Sequence, residues 1–276
     1  MNGDVTGSFE LRNADFEKIS RFVHEFCGIN LHDGKRELVK ARLGKRLRQG
    51  KFSSFSDYFK FVMTDEGTDE LVEMIDSLST NLTSFFREPA HFERLTEILK
   101  DMATSKKKLA LRFWSAGCST GEEPYTLAIV VQEALAGRND DVKILATDIS
   151  TKVLRKAVTA IYDENKIRNI SQPLLRKYFL RGTGSRNGQY RVKSDITEMV
   201  RFMRFNLKDS NVFSETFDAI FCRNVMIYFD TPTQQALIDR FYDCLRPGGY
   251  LFVGHSEGLT GLKHRFHYIV PSVYRR

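Results

Sequence analysis

Cysteine is scarce in this 276-residue chain: Cys27, Cys118, Cys222 and Cys244 stand far apart, with no CxxC pair and no histidine cluster beside them. That scatter argues against a metal site and against a disulfide scaffold, and it fits a reducing cytoplasm. No stretch approaches the roughly 18 uncharged apolar residues of a membrane-spanning helix, so no membrane insertion is expected. Met1 to Glu10 lacks the basic start and apolar run of a secretory signal. Internal repeats and low-complexity segments are missing too. What remains is ordinary globular composition, 42% hydrophobic and 28% charged, long enough for one large domain or two small ones.

The net charge of +7 is unevenly spread. Lys35, Arg36, Lys40, Arg42, Lys45, Arg46, Arg48 and Lys51 face only Glu37 within one short stretch, and an acidic stretch from Asp57 to Asp76 follows. The basic element is therefore a local patch, read either as a solvated helix face or as a contact for an acidic partner.

Residues 9–100 carry helical periodicity. Phe16, Ile19, Phe22, Val23 and Phe26 recur at helical spacing before Gly28, and Val39, Leu43 and Leu47 form an i, i+4, i+8 stripe before a presumed stop at Gly50. Further helices are expected over Phe55–Met63, over Leu71–Leu78 and from Pro89 through Leu99. From Lys108 the pattern becomes strand, turn, helix. Strands are expected at Leu109–Ala116, Val142–Ile149, Val200–Phe205, Phe217–Cys222 and Tyr250–Val253, with helices at Glu122–Ala136, Thr151–Tyr162 and Thr231–Leu245. Such alternation predicts βαβ units and a largely parallel, doubly wound sheet. Turn chemistry at Arg181-Gly-Thr-Gly184 and Arg186-Asn-Gly188 predicts a small antiparallel β insertion at about residues 163–199.

Several blocks carry residues suited to chemistry. Gly117-Cys-Ser-Thr-Gly121 joins a strand to a helix, and its glycines let the backbone pass close to a ligand. Glu122 and Glu123 would repel phosphate there, so a cationic or neutral ligand suits the turn better. Asp148 ends the second strand, where an acidic side chain can accept both ribose hydroxyl protons of a nucleoside; the alternative is a helix cap, a role Ser150 already fills. Asn81, Thr83 and Arg87 lie in Thr80–Glu88, which reads either as a capped helix start with two core phenylalanines or as a ligand-facing segment. Arg223 and Asn224 follow the fourth strand, on the side where open α/β sheets bind ligands, and Tyr228 beyond them reads either as core or as pocket lining.

Together, Asn81–Glu88, Trp114–Tyr125, Ala146–Ile149 and Phe217–Phe229, with Gly254-His-Ser-Glu257, resemble the chemotaxis-receptor methyltransferase (CheR) family. The strings FFRE, STGEEPY, CRNVMIYF and GHSE stand in the family's order through about residues 75–275. This resemblance implies a Rossmann-like S-adenosylmethionine (SAM)-methyltransferase sheet over residues 108–276, a helical domain over 1–80, and a linker with a SAM-contacting helix over 81–107. It implies that Asn81, Thr83 and Arg87 contact SAM, that Glu123 binds its amino group and Asp148 its ribose, and that Asn206 and Leu207 frame the adenine. Arg223 and Asn224 would close the pocket. Arg87 and Tyr228 would be catalytic, orienting a glutamate carboxylate beside the transferred methyl. The implied products are a glutamate methyl ester and S-adenosylhomocysteine.

A glutamate carboxylate, with a pKa of about 4.3, is ionised at neutral pH and needs no general base. The missing His–Asp pair is therefore no objection. The implied partner is the cytoplasmic helical domain of methyl-accepting chemoreceptors. The basic helix Lys35–Lys51 is a candidate contact for it, with Arg42, Lys45 and Arg46 as reversal targets, and the β insertion is a candidate grip for a receptor C-terminal peptide. A monomer is expected. A nucleic-acid methyltransferase would instead want an Asn-Pro-Pro-Tyr-like turn where this chain has Arg223-Asn224-Val225-Met226, so no nucleic-acid partner is expected. The remaining alternative is a SAM-binding regulator without turnover.

Overall fold

The computed structural model describes residues 9–105, 107–136, 138–209, 213 and 215–276, so the start of the expected helical domain lies outside the described residues. The chain divides into two compact units. One runs to Thr80 and takes in Tyr228–Asp230; the other comprises Asn81–Ile227 and Thr231–Arg276.

The helical unit holds α1 (Asn13–Cys27), α2 (Arg36–Gly50), α3 (Phe55–Val62) and α4 (Thr68–Leu78). Phe16, Ile19, Val23 and Cys27 bury one face of α1, and Gly28, at φ 79°, ends it by donating its N–H back to His24 O. Val39, Leu43 and Leu47 are fully buried along α2. The helix ends at Gly50 as expected, although the left-handed cap, at φ 57°, falls on Lys51 rather than on the glycine. A Cβ at Gly50 would run into the Phe52 ring, which packs against Tyr58 and Phe61, so glycine at 50 makes room for an aromatic contact.

The basic patch on α2 proves heterogeneous. Arg46 donates to both Glu70 oxygens at 2.9 and 2.5 Å and to Glu73 at 3.0 Å, while Tyr58 donates to the same Glu70 at 2.9 Å. Arg42 donates to the Leu78 and Ser79 carbonyls at 2.8 and 3.0 Å, satisfying acceptors that the end of α4 leaves open. These two arginines tie α2 to α4. The expectation that Arg42 and Arg46 offer docking charge is thereby corrected; Lys45, Arg48 and Lys51 are the exposed cations.

The second unit runs α5 (Ala90–Ser105), β1 (Ala110–Ala116), α6 (Glu122–Ala134), β2 (Asp141–Asp148), α7 (Thr151–Thr159) and β3 (Ile161–Asp163). Next come α8 (Gln172–Tyr178), β4 (Phe179–Arg181), β5 (Gln189–Val192), α9 (Ser194–Thr197), β6 (Val200–Arg204) and β7 (Phe217–Cys222). It closes with α10 (Thr231–Cys244), β8 (Leu245–Val253), β9 (His267–Val270) and β10 (Val273–Arg275). The main sheet has the order β6-β2-β1-β7-β8-β10-β9. Its pairings are parallel from β6 through β8 and antiparallel for β8·β10 and β10·β9. The doubly wound Rossmann-like sheet is as expected. The antiparallel end is not, because β9 and β10 are short and lack a strong apolar alternation.

Ser150 caps α7 through Val153 N–H at 3.3 Å. That helix stops at Thr159 rather than Tyr162: Ala160 turns left-handed at φ 54°, and Tyr162, buried, donates its hydroxyl to Thr120 O at 2.7 Å. Ile161–Asp163 becomes the first strand of the three-stranded antiparallel insertion, ordered β3-β5-β4. One continuous core runs beneath the sheet and α5, α6 and the insertion, from Phe92 and Leu95 through Leu127 and Ile144 to Tyr162 and Phe252. Among the described residues no helix is long and apolar enough to cross a membrane.

Candidate active site

The carboxyl ends of β1, β2 and β7 converge on one turn. After β1 the chain passes through Gly117 at φ 85°, Ser119 at φ 48° and Gly121 at φ 92°. The N–H groups of Gly117 and Cys118 both donate to Thr147 O at 2.8 Å, which docks the turn on β2. The glycines are needed, though by the protein's own packing: a Cβ at Gly117 would strike a Val225 methyl, and one at Gly121 would meet Ala157 and the Tyr162 hydroxyl. Asp148 braces this turn, accepting from Ser119 N–H at 2.8 Å and from Ser150 N–H at 2.9 Å.

The segment Asn81–Pro89 is not a helix; it is extended and then turned, and the helix begins at Ala90. The helix-start alternative therefore fails, and residues 81–89 contribute no helix to the SAM-contacting role expected of 81–107. Phe85 does enter the core. Pairings with other chain segments lay the strip down. Asn81 O accepts from Ser119 Oγ at 2.9 Å, Thr83 O from Lys166 Nζ at 3.3 Å, Phe86 N–H donates to Thr126 Oγ1 at 3.2 Å, and Arg87 O accepts from the Arg223 guanidinium. Phe86 and Glu88 both hold left-handed backbone, φ 53° and 56°, on either side of Arg87. Non-glycine residues pay roughly 1–3 kcal/mol each for such conformations, which persist where surrounding contacts enforce them. Arg87 itself is half-buried and donates to Leu82 O at 2.8 Å.

Charge concentrates around Arg223. Its side chain, 2% exposed, reaches Glu88 at 3.0 Å and Glu123 at 3.1 Å and lies over the Phe92 ring. Glu123 also accepts from Ser115 Oγ at 2.7 Å, and Asn224 Nδ2 lies 3.4 Å from Glu88 Oε1. Two carboxylates around one guanidinium leave one negative charge uncompensated. Burial accordingly pushes the Glu123 carboxyl above its ordinary range, although Arg223 and Ser115 pull it back. Glu88 is drawn down by Arg223 against its burial. The neighbouring Glu122 turns elsewhere: fully buried, it accepts from Thr120 Oγ1 at 2.6 Å and lies 3.3 Å from Lys166 Nζ.

This arrangement fits a zwitterionic, cationic ligand such as SAM. An ammonium group beside Glu123 would offset the desolvation of that carboxylate. Arg223 Nε is buried and without a hydrogen-bond partner among the described residues, a donor left unsatisfied by the protein. A dication suits the place less well. Glu88, His91 and His255 bring ligand atoms within 4.8 Å of one another, yet Glu88 is already paired with the guanidinium it shares with Glu123, at 3.0 Å. The Arg223 guanidinium opposes a second cation there, although burial, reinforced by Arg223, pushes the His91 imidazole down to about 4 and so keeps it neutral.

Of the residues singled out in the sequence, Asn81, Arg87, Glu123, Asp148, Arg223 and Asn224 join this linked set, and Thr83 is tied in through Lys166 and Glu122. Asn206 and Leu207 follow β6, whose end is fastened to β2 by Phe205 N–H donating to Asp148 O at 3.0 Å. Leu207 is buried, and Asn206 Oδ1 accepts from Lys208 N–H at 3.1 Å. Tyr228 closes a short 3-10 turn, Met226–Tyr228, and belongs by contact to the helical unit, where its carbonyl accepts from Asn30 N–H at 2.8 Å. Sequence reasoning gave no part to Glu88, Ser115, Ser119, Lys166 or Glu257. Glu88 and Glu257 stand inside the FFRE and GHSE strings, which was the available signal.

Comparison with known proteins adds independent support. Residues 14–79 match the family model "CheR methyltransferase, all-alpha domain" and residues 81–274 match "CheR methyltransferase, SAM binding domain". The chain is 40% identical over 272 residues to the chemotaxis protein methyltransferase of Escherichia coli K12, covering 98% of this chain and 93% of that one. It is 39% identical over 267 residues to chemotaxis protein methyltransferase 2 of Pseudomonas aeruginosa, with 96% and 94% covered. Against the chemotaxis protein methyltransferase of Borreliella burgdorferi it is 40% identical over 269 residues, with 95% and 94% covered. With matches of this length across both units, the chain belongs to the CheR family of SAM-dependent methyltransferases.

Proposed function

We propose that this enzyme, acting in the cytoplasm, methylates glutamate side-chain carboxylates of membrane chemoreceptors. The observation that carries the reading is the buried Glu123–Arg223 pair at the carboxyl end of the sheet, which offers a carboxylate and an unpartnered guanidinium N–H side by side. Glu123 takes the ammonium and Arg223 Nε the carboxylate of the methionine end. Asp148, held at the tip of β2, accepts from the ribose hydroxyls, and Asn206 and Leu207 border the adenine. Asn81, Thr83 and Asn224 line the same cleft.

SAM, once bound, supplies an electrophilic methyl group on a sulfonium. The protein's task is then orientation. Arg87 aims the incoming carboxylate, and Tyr228 shares that role by its match to the family's pattern. Alignment of this kind can supply roughly 7–11 kcal/mol of a barrier. No base is required, because the nucleophile is already an anion. An Arg87 held to Leu82 O meets the substrate with its charge partly engaged, which limits overstabilisation of the ground state. Docking falls to the exposed Lys45 and Arg48 of α2 and to Lys51 at its cap, with the insertion strands β3–β5 as a further surface for a receptor peptide.

The test is to incubate the protein with methyl-labelled SAM and receptor-containing membranes. Label in the receptor, released as methanol by alkali, is the expected result. Base-stable label or none would defeat the carboxyl-ester reading. SAM and S-adenosylhomocysteine binding by calorimetry tests the cleft separately.

A further inference from the structure

Glu257 is a buried carboxylate, 5% exposed, on the turn that follows β8. Its Oε2 accepts from Asn224 N–H at 2.5 Å and from Gly254 N–H at 2.8 Å, and its Oε1 accepts from Ile227 N–H at 3.1 Å. Burial pushes the Glu257 carboxyl up from its ordinary range, and the backbone N–H groups of Asn224, Gly254, Ile227 and Val225 oppose that shift by stabilising the charged form. Three of these donors belong to the loop after β7 that carries Arg223 and Asn224, more than 25 residues away along the chain. Asn224 sits in the loop at φ 60°, a left-handed conformation that asparagine tolerates better than most non-glycine residues. Gly254 is part of the same device. A Cβ there would lie 2.6 Å from Glu257 Oε2 and 2.9 Å from Asn224 N, so only glycine lets the two segments approach this closely.

An ionised carboxylate is an acceptor at every lone pair, with room for about four donors on two oxygens. Glutamine of the same shape would turn an NH2 toward backbone N–H groups, and aspartate would fall short by one methylene.

We infer that Glu257 is a positioning residue for methyl transfer: its carboxylate templates the Asn224–Ile227 loop and thereby aims the Arg223 guanidinium and the Asn224 amide into the cofactor cleft. The inference rests on the proposed reading that Arg223 and Asn224 face SAM. It goes beyond that reading by assigning the cleft's geometry to a residue that acts through the loop.

Nuclear magnetic resonance of the wild-type protein gives the first test. The Asn224 and Ile227 amide protons should resonate far downfield and exchange slowly without ligand; ordinary shifts with fast exchange would overturn the inference whatever the variants do. For Glu257→Gln and Glu257→Asp, assayed below their own melting temperatures, S-adenosylhomocysteine affinity should fall about tenfold or more, as expected for loss of one charge-assisted hydrogen bond. The kcat should fall too, with the KM for receptor unchanged. A folded variant that has lost the downfield amides but keeps wild-type affinity and kcat would refute it. If the wild type itself fails to bind S-adenosylhomocysteine, the reading of the cleft falls first and this inference with it.

Discussion

Arg46 and Arg223 sit in similar company, each between two glutamates, yet they do different work. Arg46 is 20% exposed and meets Glu70 and Glu73 on the flank of the helical unit, with Glu73 itself 39% exposed. Arg223 is 2% exposed, and neither Glu88 nor Glu123 exceeds 14%. Water screens the first cluster, so its members are worth little singly and act as a clasp between α2 and α4. The second cluster is desolvated, so any charge left without its partner is expensive, and the residual negative charge becomes a recognition feature. Solvent access, rather than the identity of the side chains, separates a structural ion cluster from a binding one.

The largest expected effect comes from breaking the desolvated cluster. Arg223→Ala leaves two largely desolvated carboxylates, 14% and 12% exposed, without their shared cation and should cost roughly 3–5 kcal/mol of stability, read by urea unfolding. Binding of S-adenosylhomocysteine should be lost as well. A double variant, Arg223→Ala with Glu88→Gln, should recover part of the stability but none of the binding. Recovery of both would remove Arg223 from the cofactor cleft.

Acid should probe the same region next. His91, pushed down to about 4, is neutral in the fold, whereas in the unfolded chain it titrates near 6.5. Between those values the unfolded state binds the extra proton, so the stability contributed by neutral His91 is complete above about pH 6.5 and drains away as the pH falls toward 4. From pH 7 to pH 5 the linkage amounts to about 2 kcal/mol. His91→Phe cannot bind that proton, and its stability should drop less than the wild type's by about that amount over the same interval. Equal losses would mean that Glu88 lets His91 carry charge inside the fold.

How much of this was readable beforehand follows from the range of each interaction. The α2 stripe, the Ser150 cap and the parallel strands obey local rules, in which periodicity and capping chemistry act over a few residues. Tyr162 defeated the helix assigned to it because a hydroxyl 42 residues from its acceptor, Thr120, outweighed local propensity. Gly50 marked the end of its helix, but that it also clears space for the Phe52 ring was not legible from local spacing. In the candidate site, Arg223, Glu123 and Asp148 could be singled out one by one, since each follows a strand or opens a helix. Their linkage through Glu88, Lys166 and Glu257 spans dozens to more than a hundred residues and leaves no spacing signature. The same blindness made Arg42 and Arg46 look like docking charges.

The smallest effects belong to the half-buried Arg46 cluster and the exposed cations beside it, and they separate clasp from dock. Arg46→Ala should lower stability by about 1–2 kcal/mol, because it frees Glu70, Glu73 and Tyr58 of their cation while water partly compensates. Affinity for S-adenosylhomocysteine, measured at a temperature where the variant is folded, should not move. Reversing Lys45, Arg48 and Lys51 to glutamate is the complementary change: all three are exposed, so stability should stay within about 0.5 kcal/mol. If α2 meets an acidic receptor surface, the reversed protein should show a raised KM for receptor at low salt, an unchanged cofactor affinity, and a wild-type deficit that narrows as salt screens both proteins. A receptor KM equal to that of the wild type at low ionic strength would leave these lysines and arginine as solvated surface and move the docking role to the β insertion.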